Sequence, residues 1–587
     1  MRSKRRALAL LCGGLLLLGG CAGRPGAPAS APTHAPAPEK TAAPTAPPSP
    51  TPGPVIPMGS PEAAGLPQSA LDTIDEILRA DIAHGFPGGQ LAVVKNGRMV
   101  CQKAWGSTNA CHADGTPKTD SPAVTNDTLY DLASNTKMYA VNYALQYLAS
   151  RGQLDLNAKI VDILGEGFAG DTIPIAYAGY PDAGLAQNKA WKAGLTVQEL
   201  LCHQAGFPAD PRYNSDVYDQ VNQRSDGGVK NVLYSGVDGS EETRRATLEA
   251  ICKTPLLYAP GSQTLYSDVD YMLLGFVAET LTGQRLDEFL AAAFYGPMGL
   301  THITYNPLRH GFAPGDCAAT EPAGNTRDGA IHFTGIRTQT IQGEVHDEKA
   351  YYAMGGVSGH AGLFANAGDL ARLAALMLDG SYGGRQYFTP AVIDTFTAPN
   401  APGNDAWGLG WWRQGKGERS YYFSDYAPES VVGHQGWTGT LTMIDRENAL
   451  VVVYLTNKIN TPVTDPANAP NQFDGSWYTS AGLGFVNELI YQGLCETPDA
   501  LAGRQAELLT RLFGEKLDAA AKNAPCDAAH PAVQAAYALA EVLVERAEKS
   551  RSEADIAAAQ AAIAGLDAGR DGAEITVLQA QTAALTS

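Results

Sequence analysis

No Gly-x-Ser-x-Gly pentapeptide, His-Glu-x-x-His pair or Cys-x-x-Cys pair occurs in the 587-residue chain. The first absence removes the nucleophile elbow of α/β-hydrolases, and the other two remove familiar zinc-ligand spacings. Basic side chains are outnumbered, 42 Lys and Arg against 61 Asp and Glu, giving a formal net charge of −19. Nucleic-acid binding needs a basic face to meet phosphates, so that class is excluded. Charged residues are sparse at 18%, yet hydrophobic residues at 44% suffice for a core, which rules out global disorder. Glycine and proline are plentiful, 63 and 37, and call for many turns and a linker.

Met1 to Arg6 carries Arg2, Lys4, Arg5 and Arg6, and residues 7–20 are apolar or small. A helix of that apolar length spans about 21 Å, short of the ~30 Å hydrocarbon core. A basic start with a short apolar stretch reads as an export signal over 1–20. Leu18-Gly19-Gly20-Cys21 resembles a bacterial lipobox, which implies that Cys21 is lipidated and anchors the exported chain to the cell membrane. Residues 21–57 then form a linker, with twelve prolines between 22 and 57. Such a segment stays extended and reaches on the order of 100 Å, suiting a catalytic head that works on cell wall. Export permits disulfides. Beyond Cys12 and Cys21 seven cysteines remain, an odd number; Cys101–Cys111 is the expected bridge and Cys495–Cys526 the second.

Residues 58–494 have globular texture. Gln90 to Lys103 reads as a β-hairpin around Asn96-Gly97, and Thr438 to Asn457 repeats the pattern near the other end. Helical segments are expected at 134–150, about 269–282 and 367–378, so one sheet is assembled from distant parts of the chain. From 495 to 587 the composition shifts to alanine, glutamate and leucine. Helical spacing at 531–546 and 553–566 predicts an appendage of two to four helices, without catalytic residue types.

Ser134-Asn135-Thr136-Lys137 is the only Ser-x-x-Lys in the chain. It opens a helix, placing Ser134 and Lys137 one turn apart on one side. A serine hydroxyl needs a neighbouring base, and a lysine serves only if its pKa is lowered from ~10.4 toward ~7–8. Tyr266-Ser267-Asp268 leads from a turn into the second helix. Gly433-His434-Gln435-Gly436-Trp437-Thr438-Gly439-Thr440 opens the last strand pair, where small residues let a substrate lie along the strand.

In that order the three segments resemble the serine β-lactamase and penicillin-binding protein superfamily, with its Ser-x-x-Lys, Tyr-x-Asn and Lys-Thr-Gly or His-x-Gly signatures. The stretches 131–139 and 266–276, and the run from Asn325 to Leu363, resemble the penicillin-binding protein type 4B subfamily, whose members are class C β-lactamase-like proteins of the D-alanyl-D-alanine carboxypeptidase type. The resemblance covers roughly 58–494. It implies an α/β protein with the β-lactamase-like fold: an antiparallel sheet flanked by helices, a helical subdomain, and here a C-terminal all-helical appendage.

By the same resemblance Ser134 is the acylated nucleophile, and Lys137 and Tyr266 share proton transfer. The backbone N–H groups of Ser134 and Trp437 form the oxyanion hole. Asp268 lines the peptide side of the substrate, His434 and Thr438 or Gln435 line its carboxylate end, and Gly436 and Trp437 also bind it. Asp268 stands where many members carry Asn; an ionised Asp only accepts hydrogen bonds. It is therefore expected to pair with Lys137, raise that lysine's pKa and leave Tyr266 as the working base. His434 replaces the commoner lysine, making a positive charge there conditional on pH. His346-Asp347-Glu348 is not taken as a metal site, because adjacent strand residues point to opposite faces. His360 is read as a packing or hydrogen-bonding anchor. No cofactor or metal is implied. Three activities stay open: a D-alanyl-D-alanine carboxypeptidase acting on peptidoglycan stem peptides and trapped covalently by β-lactams, a promiscuous esterase or weak β-lactamase, and a penicillin-binding receptor without turnover.

Overall fold

The structure, a computed structural model, describes residues 56–225, 228–400, 404–523 and 526–583. The export signal, Cys21 and nearly all of the proline-rich linker lie outside the described residues.

Six antiparallel strands form the central sheet: β1 (Gly88–Lys95), β2 (Arg98–Gly106), β3 (Trp412–Arg413), β4 (Val432–Gly436), β5 (Thr440–Asp445) and β6 (Leu450–Thr456). Their order is β2-β1-β6-β5-β4-β3, so the expected hairpins meet at β1 and β6, with Leu91 opposite Tyr454. Asn96 and Gly97 both have positive φ, 52° and 72°, which matches the right-handed strand twist in a two-residue turn.

Both faces of the sheet are covered, which is why β1 and β6 are buried along their whole length. Alternate residues divide between two hydrophobic clusters. Ala92, Val94, Val451 and Val453 pack with α2 (Tyr143–Ala149), α3 (Asp268–Thr282) and α4 (Ala367–Ala374). Leu91, Val93, Val452 and Tyr454 pack with α1 (Gln68–Ala83) and α5 (Gly484–Cys495). A small sheet of Tyr130–Asp131, Leu363–Ala365 and Ile303–Tyr305 lies beside the Ser134 segment.

Four helices follow: α6 (Pro498–Lys522), α7 (Pro531–Ser550), α8 (Glu553–Gly565) and α9 (Gly572–Ala583). Their apolar residues Leu509, Phe513, Leu539, Leu543 and Ala559 belong to the same cluster as α1 and the sheet face. Polar contacts seal the seam: His84 Nδ1 lies 2.8 Å from Gln534 Oε1, and Lys549 Nζ donates to Glu76 Oε1 at 2.8 Å.

Both expected disulfides are absent; all seven described cysteines are free thiols. Cys101 stands opposite Val93 in β2 with its side chain in the apolar cluster, where burial pushes the thiol up to about 12. Cys526 Sγ donates to the Ala520 carbonyl at 3.4 Å, whereas Cys495 is exposed at the end of α5.

Candidate active site

Ser134 follows a bent backbone. Ala133 has φ +46°, a left-handed conformation costing roughly 1–2 kcal/mol for a residue with a Cβ, and its N–H donates to Asp131 Oδ1 at 2.8 Å. The Asp131 carboxylate also accepts from His346 N at 2.6 Å, so the strained turn is fixed from both sides. The helix then opens with a wide π-helical turn, Lys137–Asn142, before continuing as α2. Such turns redirect side chains and recur at functional sites.

Lys137 is fully buried, and its three ammonium protons have three acceptors. These are Ser134 Oγ at 2.9 Å, Asp268 Oδ1 at 2.8 Å and the His360 carbonyl at 3.2 Å. Burial drives its pKa down, but Asp268 and Tyr266 more than offset this and hold it above the ordinary lysine value. The Tyr266 ring centroid lies 4.8 Å from Lys137 Nζ, and its hydroxyl faces both Lys137 and Ser134. Burial raises the phenol's pKa despite the opposing pull of Lys137. Asp268 opens α3 just after the cap Ser267, whose Oγ accepts from Val269 N at 3.2 Å.

The third segment lies along β4. A Cβ at Gly436 would overlap the Leu132 carbonyl oxygen and Thr440 Oγ1, so glycine is what lets the strand close on the turn before Ser134. Trp437 is 39% exposed, with His346 stacked on it at 4.9 Å and the Arg327 guanidinium 4.7 Å from the ring. Among the described residues no acceptor takes the backbone N–H of Ser134 or Trp437.

Two side chains differ from expectation. His434 is buried, with Nδ1 2.7 Å from the Gln435 carbonyl, and burial together with Lys137 lowers its pKa to about 3. It is a neutral imidazole and does not switch on a positive charge near neutrality. Thr438, expected beside the substrate, is buried and donates its hydroxyl to the Asp131 carbonyl at 2.8 Å. It fastens the turn after β4 to the segment before Ser134.

The beta-lactamase family profile matches residues 74–476, which contain all three segments. The chain belongs to the beta-lactamase family. A relative from Escherichia coli (strain K12), described as "Putative D-alanyl-D-alanine carboxypeptidase", is 43% identical over 445 residues, covering 75% of this chain and 94% of the relative. One of the same description from Salmonella enteritidis PT4 (strain P125109) is 41% identical over 442 residues, with 75% and 94% covered. Among solved structures, a penicillin-binding protein homologue from Caulobacter crescentus is 20% identical with a TM-score of 0.47, covering 73% of this chain and 98% of that one. The hydrolase EstCE1 is 19% identical with a TM-score of 0.49, covering 72% and 99%.

Around this beta-lactamase-family site stand residues that sequence reading did not single out. His203 (φ +56°) is buried with its ring centroid 4.5 Å from that of Tyr266. Its Nδ1 accepts from Ser267 N at 3.2 Å and lies 2.9 Å from Asp270 Oδ2. One nitrogen lone pair cannot accept and donate together, so Asp270 supplies the proton; burial, then the neighbouring Asp268 charge, raises the Asp270 pKa well above normal. Arg419 is half-buried, 4.2 Å over the Trp412 ring and 5.1 Å over Trp407. Trp412 in turn lies 4.9 Å from His434. Among the described residues no carboxylate pairs with the Arg419 guanidinium, and its Nε is buried without an acceptor.

Proposed function

We propose that the chain is an exported serine D-alanyl-D-alanine carboxypeptidase that works through an acyl-enzyme at Ser134. The observation that carries this reading is the contact of Ser134 Oγ with an ammonium, Lys137 Nζ, at 2.9 Å, with the Tyr266 hydroxyl facing both. Lys137 holds its proton, so it stabilises charge rather than accepting a proton. Tyr266 acts as a relay. As Ser134 Oγ bonds to the scissile carbonyl carbon, its proton passes to the phenol oxygen while the phenol's own proton passes to the scissile nitrogen, which then leaves as the neutral amine when the C–N bond breaks. Water then attacks the ester carbonyl, gives a proton to Tyr266, and Ser134 Oγ recovers one as it leaves. The backbone N–H groups of Ser134 and Trp437 hold the oxyanion; one such donor contributes ~2.7–4 kcal/mol in the transition state. With His434 neutral, the cation for a terminal carboxylate is Arg419. Such specificity agrees with the described activity of the relatives.

The test is release of D-alanine from diacetyl-Lys-D-Ala-D-Ala, followed beside hydrolysis of a simple ester. Peptide turnover is expected; ester hydrolysis without D-alanine release would replace the carboxypeptidase by an esterase, which the uncharged His434 would also suit. We further propose that lipidation of Cys21 anchors the enzyme to the cell membrane, within reach of the wall. Palmitate labelling lost in Cys21→Ala would support this, and labelling retained would refute it.

A further inference from the structure

Behind the nucleophile the polar contacts close into a circuit. Asp268 Oδ1 holds Lys137, and Asp268 Oδ2 lies 3.1 Å from Lys349 Nζ. Lys349 Nζ also contacts Asp210 and lies 3.8 Å from Asp347 Oδ2. Asp347 Oδ1 lies 2.8 Å from His360 Nε2, and the His360 carbonyl returns to Lys137 at 3.2 Å. Lys349 is 2% exposed and takes no part in the acyl-transfer scheme. Ligand atoms of Asp268, Asp347 and His360 converge within 4.8 Å, but the positive charge among them is the Lys349 ammonium.

Burial alone would push the Asp268 carboxyl toward its protonated form, which could not hold Lys137 as a counter-ion. The Lys137 and Lys349 charges reverse this and keep it well below the ordinary carboxylate range. The Tyr-x-Asn signature that this segment resembles has a neutral amide at the position of Asp268, which needs no such support. We propose that Lys349 is a positioning residue for Ser134: by occupying the outer oxygen of Asp268 it keeps that carboxylate ionised and turned toward Lys137, so that an acid can stand where the family commonly has an amide. The inference rests on the acyl-transfer reading of Ser134. The charged or titratable groups facing the pair are Lys137, Tyr266, His203 and Asp270 beside Asp268, Asp347 and His360 beside both, and Asp210, Arg212, Tyr213 and Tyr218 around Lys349.

The test is the pH dependence of Ser134 phosphonylation by a fluorophosphonate, in the wild type and in Lys349→Met, Lys349→Arg, Asp268→Asn and the Asp268→Asn/Lys349→Met double variant. The probe needs only a reactive serine, so it reads Lys349 even in a protein that releases no D-alanine. Lys349→Met is expected to slow labelling about tenfold at neutral pH and to move the acid limb up by about one pH unit. Lys349→Arg should keep the wild-type limb, and the double variant should label within about threefold of Asp268→Asn, because a neutral amide needs no second cation. A wild-type acid limb in Lys349→Met would overturn the proposal. So would a double variant about tenfold slower than Asp268→Asn, a comparison that decides the matter even if Lys349→Met alone fails to fold.

Discussion

At Ser134 the proton inventory decides the chemistry. A buried lysine with three acceptors keeps its charge, and its pairing with Asp268 is the one the sequence reading expected; on the proposed mechanism the proton-transfer role therefore falls to Tyr266. The charge state of His434 was not legible, because it depends on burial and on Lys137 rather than on the residue type. With its pKa near 3, below the ordinary imidazole value, His434 gains a proton only in strong acid. KM for a carboxylate-bearing peptide should therefore show no titration of His434 between about pH 5 and 8. Arg419→Met should raise that KM roughly 10- to 100-fold, the size of a lost hydrogen bond to a charged group, with kcat little changed. The matching C-terminal amide should be indifferent to the substitution; an equal loss for both substrates would mean that Arg419 only packs against its tryptophans. Arg419 had no spacing relation to the three motifs, so nothing in the chain marked it; Asp347 and Lys349 lie in the Asn325–Leu363 run that carried the resemblance, but their pairing with His360 and Asp268 comes only with the fold.

Among the elements, those with a local signal were legible. The two hairpins showed apolar stretches around turn residues, and the helical segment expected at about 269–282 is α3. The two-residue strands Tyr130–Asp131 and Trp412–Arg413 are too short to carry any period. The π-helical turn after Ser134 was also hidden, since its extra residue per turn leaves the apolar spacing nearly unchanged. What joins β4 to the nucleophile turn is the bare backbone of Gly436 together with the hydroxyls of Thr438 and Thr440, which donate to Asp131 O and Leu132 O at 2.8 and 3.0 Å. Gly436→Ala must separate these segments. Its stability should fall by about 1–3 kcal/mol and acylation by about 10²-fold. Denaturant unfolding and labelling rates check both; unchanged acylation would show that the strand position is not critical.

For the whole molecule, the resemblance pointed to the fold, and the helical stripes of 531–546 and 553–566 marked helices without naming what they face. In the structure α6 and α7 pack on α5 and α1, the helices that cover one face of the sheet, and α6 to α9 join them in one hydrophobic cluster. Leu543, fully buried in α7, should therefore support the whole domain. Leu543→Ala is expected to cost ~2–5 kcal/mol in a single calorimetric transition shared with the sheet. Two separable transitions, only one of them moved, would make the C-terminal helices an independent unit. All of this scaffolding serves one claim, that Ser134 becomes acylated. The most direct measurement is the intact mass of the protein after exposure to a penicillin, with the modified peptide mapped by fragmentation. The account predicts a single adduct of the penicillin's full mass on Ser134, absent from Ser134→Ala. An adduct on another residue, or one that persists in Ser134→Ala, would contradict it.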